Sequence, residues 1–208
     1  MNYSEVFSIP AASAVCYSGY RDGQVPGVPY PTYSQVKEDL LIVQQHWTYI
    51  RLYSCDTHSK TVLEVIEKEK LELKVMLGAY IIAEENNHNC PWGGGVHSEA
   101  TLQNNRVNNQ IEINKLIELA NTYPSIIFSL SVGNEACVDW TDHMVPVDRV
   151  ITYVTKLKES TKPPPPGHKP GTKPPPGCNP PSAVYSQPDQ PAGALTAPSY
   201  SSGLIKTK

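Results

Sequence analysis

Apolar residues along this chain alternate between two patterns. Short, mostly aliphatic runs occupy 12–17, 49–53, 74–80 and 126–132. After each run, apolar residues recur every three or four positions, the period of an amphipathic helix. The first such stretch, 33–47, carries Val36, Leu40, Val43 and Trp47; the second, with Thr57 as its expected cap, carries Val62, Val65 and Ile66. The third carries Ile113, Leu116, Ile117 and Ala120 and stops short of Pro124. The fourth places Pro146 in its first turn and carries Val147, Val150, Ile151, Val154 and Leu157. Strand then helix, four times over, is the prediction. The run at 126–132 is apolar enough to predict burial on both faces.

Strands that alternate with helices cross over right-handedly and pair in parallel. An open doubly wound sheet and part of a (β/α)8 barrel both satisfy that rule. The turn Ser18-Gly19 after the first run lacks the GxGxxG spacing that cradles a dinucleotide, which disfavours the nucleotide-binding sheet. The reading is therefore an α/β fold: an incomplete (β/α)8 TIM barrel of four βα units over 1–162, then a Pro-rich, low-complexity tail over 163–208 that is expected to be disordered.

Charge sharpens that boundary. The net charge of −3 excludes a broadly basic nucleic-acid binder. Residues 1–160 hold 12 Lys and Arg against 19 Asp and Glu, whereas 161–208 hold 5 Lys, one acid and 13 of the 20 prolines. An acidic body carries a basic tail. No apolar run is long enough to predict a membrane span, and the first residues lack the basic and apolar regions of a secretory signal. The five cysteines are odd in number, widely spaced and without a CxxC pair, which predicts buried free thiols in a reducing compartment, so the cytoplasm is favoured.

Parallel α/β folds place their chemistry at the carboxyl ends of the strands. There the chain sets Tyr17, then Arg51, Tyr53 and Asp56, then Tyr80, then Asn134 and Glu135 with Asp139 and Trp140 close behind. Aromatic faces stack on the apolar faces of sugar rings, while amides and carboxylates bond the hydroxyls. Carbohydrate handling is the chemistry suggested. His88, Cys90 and His97 fit no zinc-ligand spacing, so no metal is expected, nor any cofactor. Glu84 and Glu85, in the polar stretch 84–95, read as solvated loop charges in preference to a carboxylate pair. His143 reads as a residue leading into the last helix, without a special role.

Four segments, AVCYSGYRDGQ (14–24), YIRLYSCDTH (49–58), KVMLGAY (74–80) and LSVGNE (130–135), resemble glycoside hydrolase family 17, the β-1,3-glucanases and related transglycosylases. The resemblance runs over about 14–162. It implies a (β/α)8 barrel in which Glu135 is the general acid/base, protonating the glycosidic oxygen and then activating water, with Asn134 bonding the sugar 2-hydroxyl. Tyr17, Tyr53 and Asp56 fall where that family lines its glucan cleft, and Arg51 is expected to brace the cleft floor. A carboxyl that must carry a proton near neutrality is expected to be buried beside aromatics. The family's nucleophile is a second glutamate at the seventh strand, roughly 5–5.5 Å from the first in a retaining enzyme. Here the fourth helix runs into Pro163-Pro164-Pro165-Pro166 instead, and the only later acid is Asp189. The expectation is half a barrel, lacking its nucleophile, from a truncated gene.

Residues 162–177 form a degenerate KPPPPG-type repeat, suited to polyproline II. It reads as a spacer, as a ligand for an SH3- or WW-type groove, or as read-through behind a broken gene. Three functions follow: a retaining β-1,3-glucan hydrolase or transglycosylase, a noncatalytic glucan-binding module, or a scaffold working through the tail. The expected partner is a β-glucan oligo- or polysaccharide, with no nucleic acid and no membrane. The open sheet edges of a half barrel also predict self-association.

Overall fold

The computed structural model describes residues 12–161. The Pro-rich tail, its proposed boundary at 162–163 and Cys178 lie outside these residues. The elements follow one another as β1 (Ala14–Cys16), α1 (Tyr33–Val43), β2 (Tyr49–Leu52), α2 (Thr57–Glu69), β3 (Lys74–Ala79), α3 (Glu99–Thr122), β4 (Ile127–Val132) and α4 (Val147–Ser160). The four strands form one parallel sheet in the order β1-β2-β3-β4. Ile50 lies opposite Val15 and Val75, and Leu77 opposite Leu52 and Leu130. Each new strand adds to the same edge, the winding of a barrel; a doubly wound sheet reverses its order at a switch point. The described residues thus form a partial TIM-barrel-like α/β unit.

Alternation along the strands separates two faces. Ile50, Leu52, Val75, Leu77 and Ala79 are buried, packed with Val62, Leu63, Ile66, Ile113 and Leu116 from the helices. Between them, Arg51, Met76, Ser129 and Ser131 are only half-buried. Gly78 keeps the strands close on that second face, since a Cβ there would meet Ser131 Oγ at 2.9 Å and Leu52 O at 3.0 Å. Three expectations about burial change. Of β4 only Ile127 is buried and the rest is half-buried, because among the described residues β4 is an edge strand. In α4, Tyr153 and Leu157 are buried, while Val147 and Ile151 remain about 60% exposed. Of the four cysteines among the described residues, all free, Cys55 alone is buried; Cys16 and Cys137 are exposed and Cys90 is intermediate. Burial pushes the Cys55 thiol well up from its ordinary value, with Glu112 adding to it.

Local caps explain most helix starts. Thr32 and Gln35 form a reciprocal capping box at α1, which ends at Val43, earlier than its stripe predicts. Ser98 accepts from the Thr101 N–H at α3. Asp56, not Thr57, caps α2, accepting from the Ser59 N–H. Pro146 is the residue before α4 rather than part of its first turn, and makes no side-chain cap.

Glu84 is the largest departure from expectation. Its side chain has no solvent exposure. Arg149 Nε and Asn109 Nδ2 each donate to its carboxylate at 2.8 Å, and the Tyr153 hydroxyl donates a third, short bond. Burial alone would raise this carboxyl; the bonds from Asn109, Tyr153 and Arg149, with the guanidinium charge, outweigh it and hold the group below the ordinary carboxylate range. The cluster staples the loop after β3 to α3 and α4, assisted by Asn109 spanning the Ile82 N–H and C=O and by Asn105 bonding Ala83 O.

Candidate carbohydrate site at the strand ends

Gly133, Asn134 and Glu135 leave the carboxyl end of β4. The Gly133 N–H donates to Ala79 O at 2.9 Å and so extends the β3–β4 ladder by one bond. Gly133 has φ +77°, and a Cβ there would meet Ala136 Cβ at 3.0 Å, so the turn is tight enough to favour glycine. Glu135 follows with φ +54°. A left-handed conformation costs a non-glycine residue about 1–2 kcal/mol, and it persists where its surroundings over-determine it.

Those surroundings are explicit. The Asn134 carbonyl, in the same peptide as the Glu135 nitrogen, accepts from His143 Nε2 at 2.9 Å. A carbonyl cannot donate, so Nε2 carries the proton. His143 Nδ1 lies 2.8 Å from Thr141 Oγ1 and 2.7 Å from Asp142 Oδ1, and Tyr80 stacks on the ring at 5.5 Å between centroids. The Asn134 side chain accepts from Arg51 Nη2 at 3.1 Å. One residue later, Ala136 is buried and its carbonyl accepts from the Val145 N–H at 2.8 Å. His143 therefore holds the peptide that aims Glu135, a role its sequence context did not signal. Glu135 itself is exposed, which corrects the expected burial beside aromatics: the described residues do not enclose it.

Arg51 braces this site by bonding Asn134 while its guanidinium lies 4.5 Å over the Tyr53 ring. Its Nε is buried without a hydrogen-bond partner among the described residues. The Tyr53 hydroxyl is shifted up, first by Cys16 and then by burial, with Glu135 adding and Arg51 opposing. Tyr80 is raised by burial first, then by Asp142 and Glu135. Both tyrosines therefore feel the Glu135 charge.

A cleft of about 580 Å³ opens on the β1–β2 side of these residues, lined by Tyr17, Tyr20, Tyr53, Asp56, His58 and Tyr80 among others. Asn134 and Glu135 are not in its lining; Tyr53 and Tyr80 stand between. The Tyr17 hydroxyl donates to Asp39 at 2.9 Å, and burial followed by that bond pushes its pKa far up. Asp56 spends one oxygen capping α2 and accepts from the Tyr20 hydroxyl on the other at 3.4 Å. Burial, then Asp56, pushes Tyr20 up to about 12. His58, unremarked in the sequence, is buried under this wall. Its Nε2 accepts from the Gly19 N–H at 3.3 Å, and its ring sits 5.4 Å from Tyr17 and 5.1 Å from Tyr20. The structure thus joins Tyr17, Tyr53 and Asp56 in one cleft and sets Asn134 and Glu135 beside it.

In the segment from His88 to His97, His88 is exposed. Cys90 Sγ donates to Gly93 O at 3.0 Å, and a His97 ring nitrogen pairs with Asp142 O at 3.2 Å.

No model of a protein family matches the chain, and no curated protein matches it. Among solved structures it is similar to an endo-laminarinase from Formosa Hel1_33_131, with 28% sequence identity, a TM-score of 0.53 and 70% of this chain covered. The match covers 37% of that protein's chain, so the likeness extends over little more than a third of its length. The four βα units accordingly have a glucanase-like fold.

Proposed function

We propose that the chain carries the acid/base half of a retaining site, of the glycoside hydrolase family 17 type, that cleaves or transfers β-1,3-linked glucan. Glu135 is the proton donor to the glycosidic oxygen, and Asn134 bonds the sugar 2-hydroxyl. Tyr17, Tyr53 and Asp56 line the path of the glucan. The observation that carries this reading is the clamp on Asn134, whose side chain Arg51 holds and whose carbonyl His143 holds, setting a left-handed glutamate next in the chain at the mouth of a parallel sheet. Likeness to an endo-laminarinase supports the substrate class. Retention requires a second carboxylate roughly 5–5.5 Å away, and on this proposal that group comes from outside residues 12–161.

The exposure of Glu135 favours a second reading, a glucan-binding module without turnover, because a general acid working near neutrality depends on burial to keep its proton. Release of reducing sugar from laminarin by the full chain and by Glu135→Gln decides between them. The catalytic reading expects a fall of about 10²-fold or more in the variant. Equal, nonzero rates remove Glu135 from the chemistry. Laminarin bound without release supports the binding module.

A further inference from the structure

We infer that Trp92 and Trp140 form a second carbohydrate contact, a tilted aromatic platform for a curved glucan chain, on the loops after β3 and β4. The inference takes its substrate class from the function proposed above; the contact itself stands on geometry. Trp92 lies in the loop after β3 and Trp140 in the loop after β4, at the same end of the sheet as Glu135. The tyrosine cleft draws on the loops after β1, β2 and β3, so the strand order sets the two features toward opposite edges.

Both indoles are open to solvent, Trp92 at 64% and Trp140 at 43%. The backbone beneath them is built. Asn87 is buried, and its side-chain amide donates to Asp139 O at 2.8 Å and Thr141 O at 2.7 Å, the carbonyls on either side of Trp140. The Asn87 N–H donates to Gly95 O at 2.7 Å, closing the loop that carries Trp92. Only glycine fits that closure, since a Cβ on Gly95 would come within 2.3 Å of Asn87 O. One buried residue, through its side-chain amide and its backbone N–H, therefore fixes both turns, and the contact forms without ordering a loop.

The two rings lie 5.9 Å apart between centroids and are inclined at 59°. They do not stack, and each keeps surface free for a ligand. A Trp side chain buries about 150–250 Å² when covered, so the pair presents too little area for a stable protein partner, which needs about 800 Å² from each side. Small ligands with apolar faces and hydroxyl rims fit better. Asp139, Asp142 and Asn89 are exposed on the same two loops and can meet hydroxyls. Inclined rings suit the turning chain of β-1,3-linked glucose; the flat ribbon of β-1,4-linked glucose calls for coplanar rings.

The test is tryptophan fluorescence of the full chain titrated with laminarihexaose and with cellohexaose. Trp47, the remaining tryptophan, precedes β2 at the other end of the sheet and packs on His46, so Trp47→Phe isolates the signal. The expected result is saturable quenching by laminarihexaose and a response to cellohexaose at least about tenfold weaker. Trp92→Ala and Trp140→Ala are each expected to weaken binding about tenfold, with Trp→Phe variants retaining most of it. Unchanged emission, equal response to both sugars, or full affinity in folded Trp→Ala variants overturns the platform. Glu135→Gln is expected to keep the fluorescence response. Quenching without hydrolysis therefore sinks the catalytic reading alone, and hydrolysis without quenching sinks the platform alone.

Discussion

Replacing Glu84 with alanine removes the acceptor from three donors at once. Tyr153 and Asn109 are each 1% exposed, so water cannot replace the lost partner. A buried donor left unmade costs about 1–3 kcal/mol, which gives about 2–6 kcal/mol for these two. The Arg149 side chain is 42% exposed and can be rehydrated, so its share is screened and small. Against the loss stands the desolvation that Glu84 no longer bears. The net lies near the lower part of the about 3–5 kcal/mol seen when one partner of a buried ion pair is removed, so about 3 kcal/mol is expected. Urea unfolding followed by far-UV circular dichroism reads it as a midpoint lower by about 1–2 M, for a slope of about 2 kcal/mol/M. The neighbouring, exposed Glu85→Ala serves as control and should fall within about 0.5 kcal/mol of the parent. The acid limb supplies a second arm. The folded pKa of Glu84 lies below its reference of 4.5, so its contribution is present above pH 4.5 and is lost as pH falls through the folded value. Glu84→Ala should flatten that limb. A loss under about 1 kcal/mol, or an acid limb unchanged, would refute the reasoning.

Two further outcomes follow from the site. His143 Nε2 should carry a proton in the folded protein, because the Asn134 carbonyl can only accept; nitrogen-15 chemical shifts showing a bare Nε2 would contradict the clamp. His143→Ala should cost about 1–2 kcal/mol by freeing that carbonyl and should alter the Glu135 amide signal while leaving that of Gly19 in place. His58 is buried and accepts from Gly19, so burial lowers its pKa below 6.5, with Asp56 and Asp39 opposing. Its contribution is present above pH 6.5 and is lost as pH falls, since the unfolded chain takes up the proton first. A proton NMR titration of the ring with a midpoint at or above 6.5 would dismiss this.

The four βα units were legible because their signal is local. A run such as Lys74–Ala79 is apolar and short, the stripe of α2 is regular, and, the start of α3 apart, each boundary shifts by only a few residues between sequence and structure. Helix α3 shows where local reading stops. Its buried face includes Asn105 and Asn109 beside Leu102, Ile113 and Leu116, so its first half looks polar and its start at Glu99 carries no apolar period. The asparagines face inward to satisfy the backbone of Ile82 and Ala83, strand-end groups that pair with no neighbouring strand. Glu84 was hidden for a related reason. Its partners Arg149 and Tyr153 lie on the last helix, and no local pattern announces a charge neutralised at that sequence distance. In β4 and α4 the difference runs the other way, because among the described residues β4 is an edge strand and Val147 and Ile151 stay open to solvent.

The site divides along the same line. Asn134 and Glu135 could be named from the sequence because a parallel sheet delivers its strand ends to one place. Of the groups that hold them, Arg51 is expected from the sequence as a brace and bonds the Asn134 side chain from β2, whereas His143 bonds the Asn134 carbonyl from a distant loop position that no local pattern marks. Asp56 shows the converse: it sits at a strand end, yet one oxygen caps a helix and the other receives Tyr20, so only its remaining lone pairs face a ligand. What catalysis asks of a proton donor then separates into two physical parts. Orientation is encoded within residues 12–161, through a left-handed backbone bonded from both sides. The exclusion of water from the site is not, since Glu135 stands exposed. On the function proposed above, a glucan lying across Tyr53 and Tyr80 would itself exclude that water, so substrate occupancy would complete the surroundings that a proton donor needs.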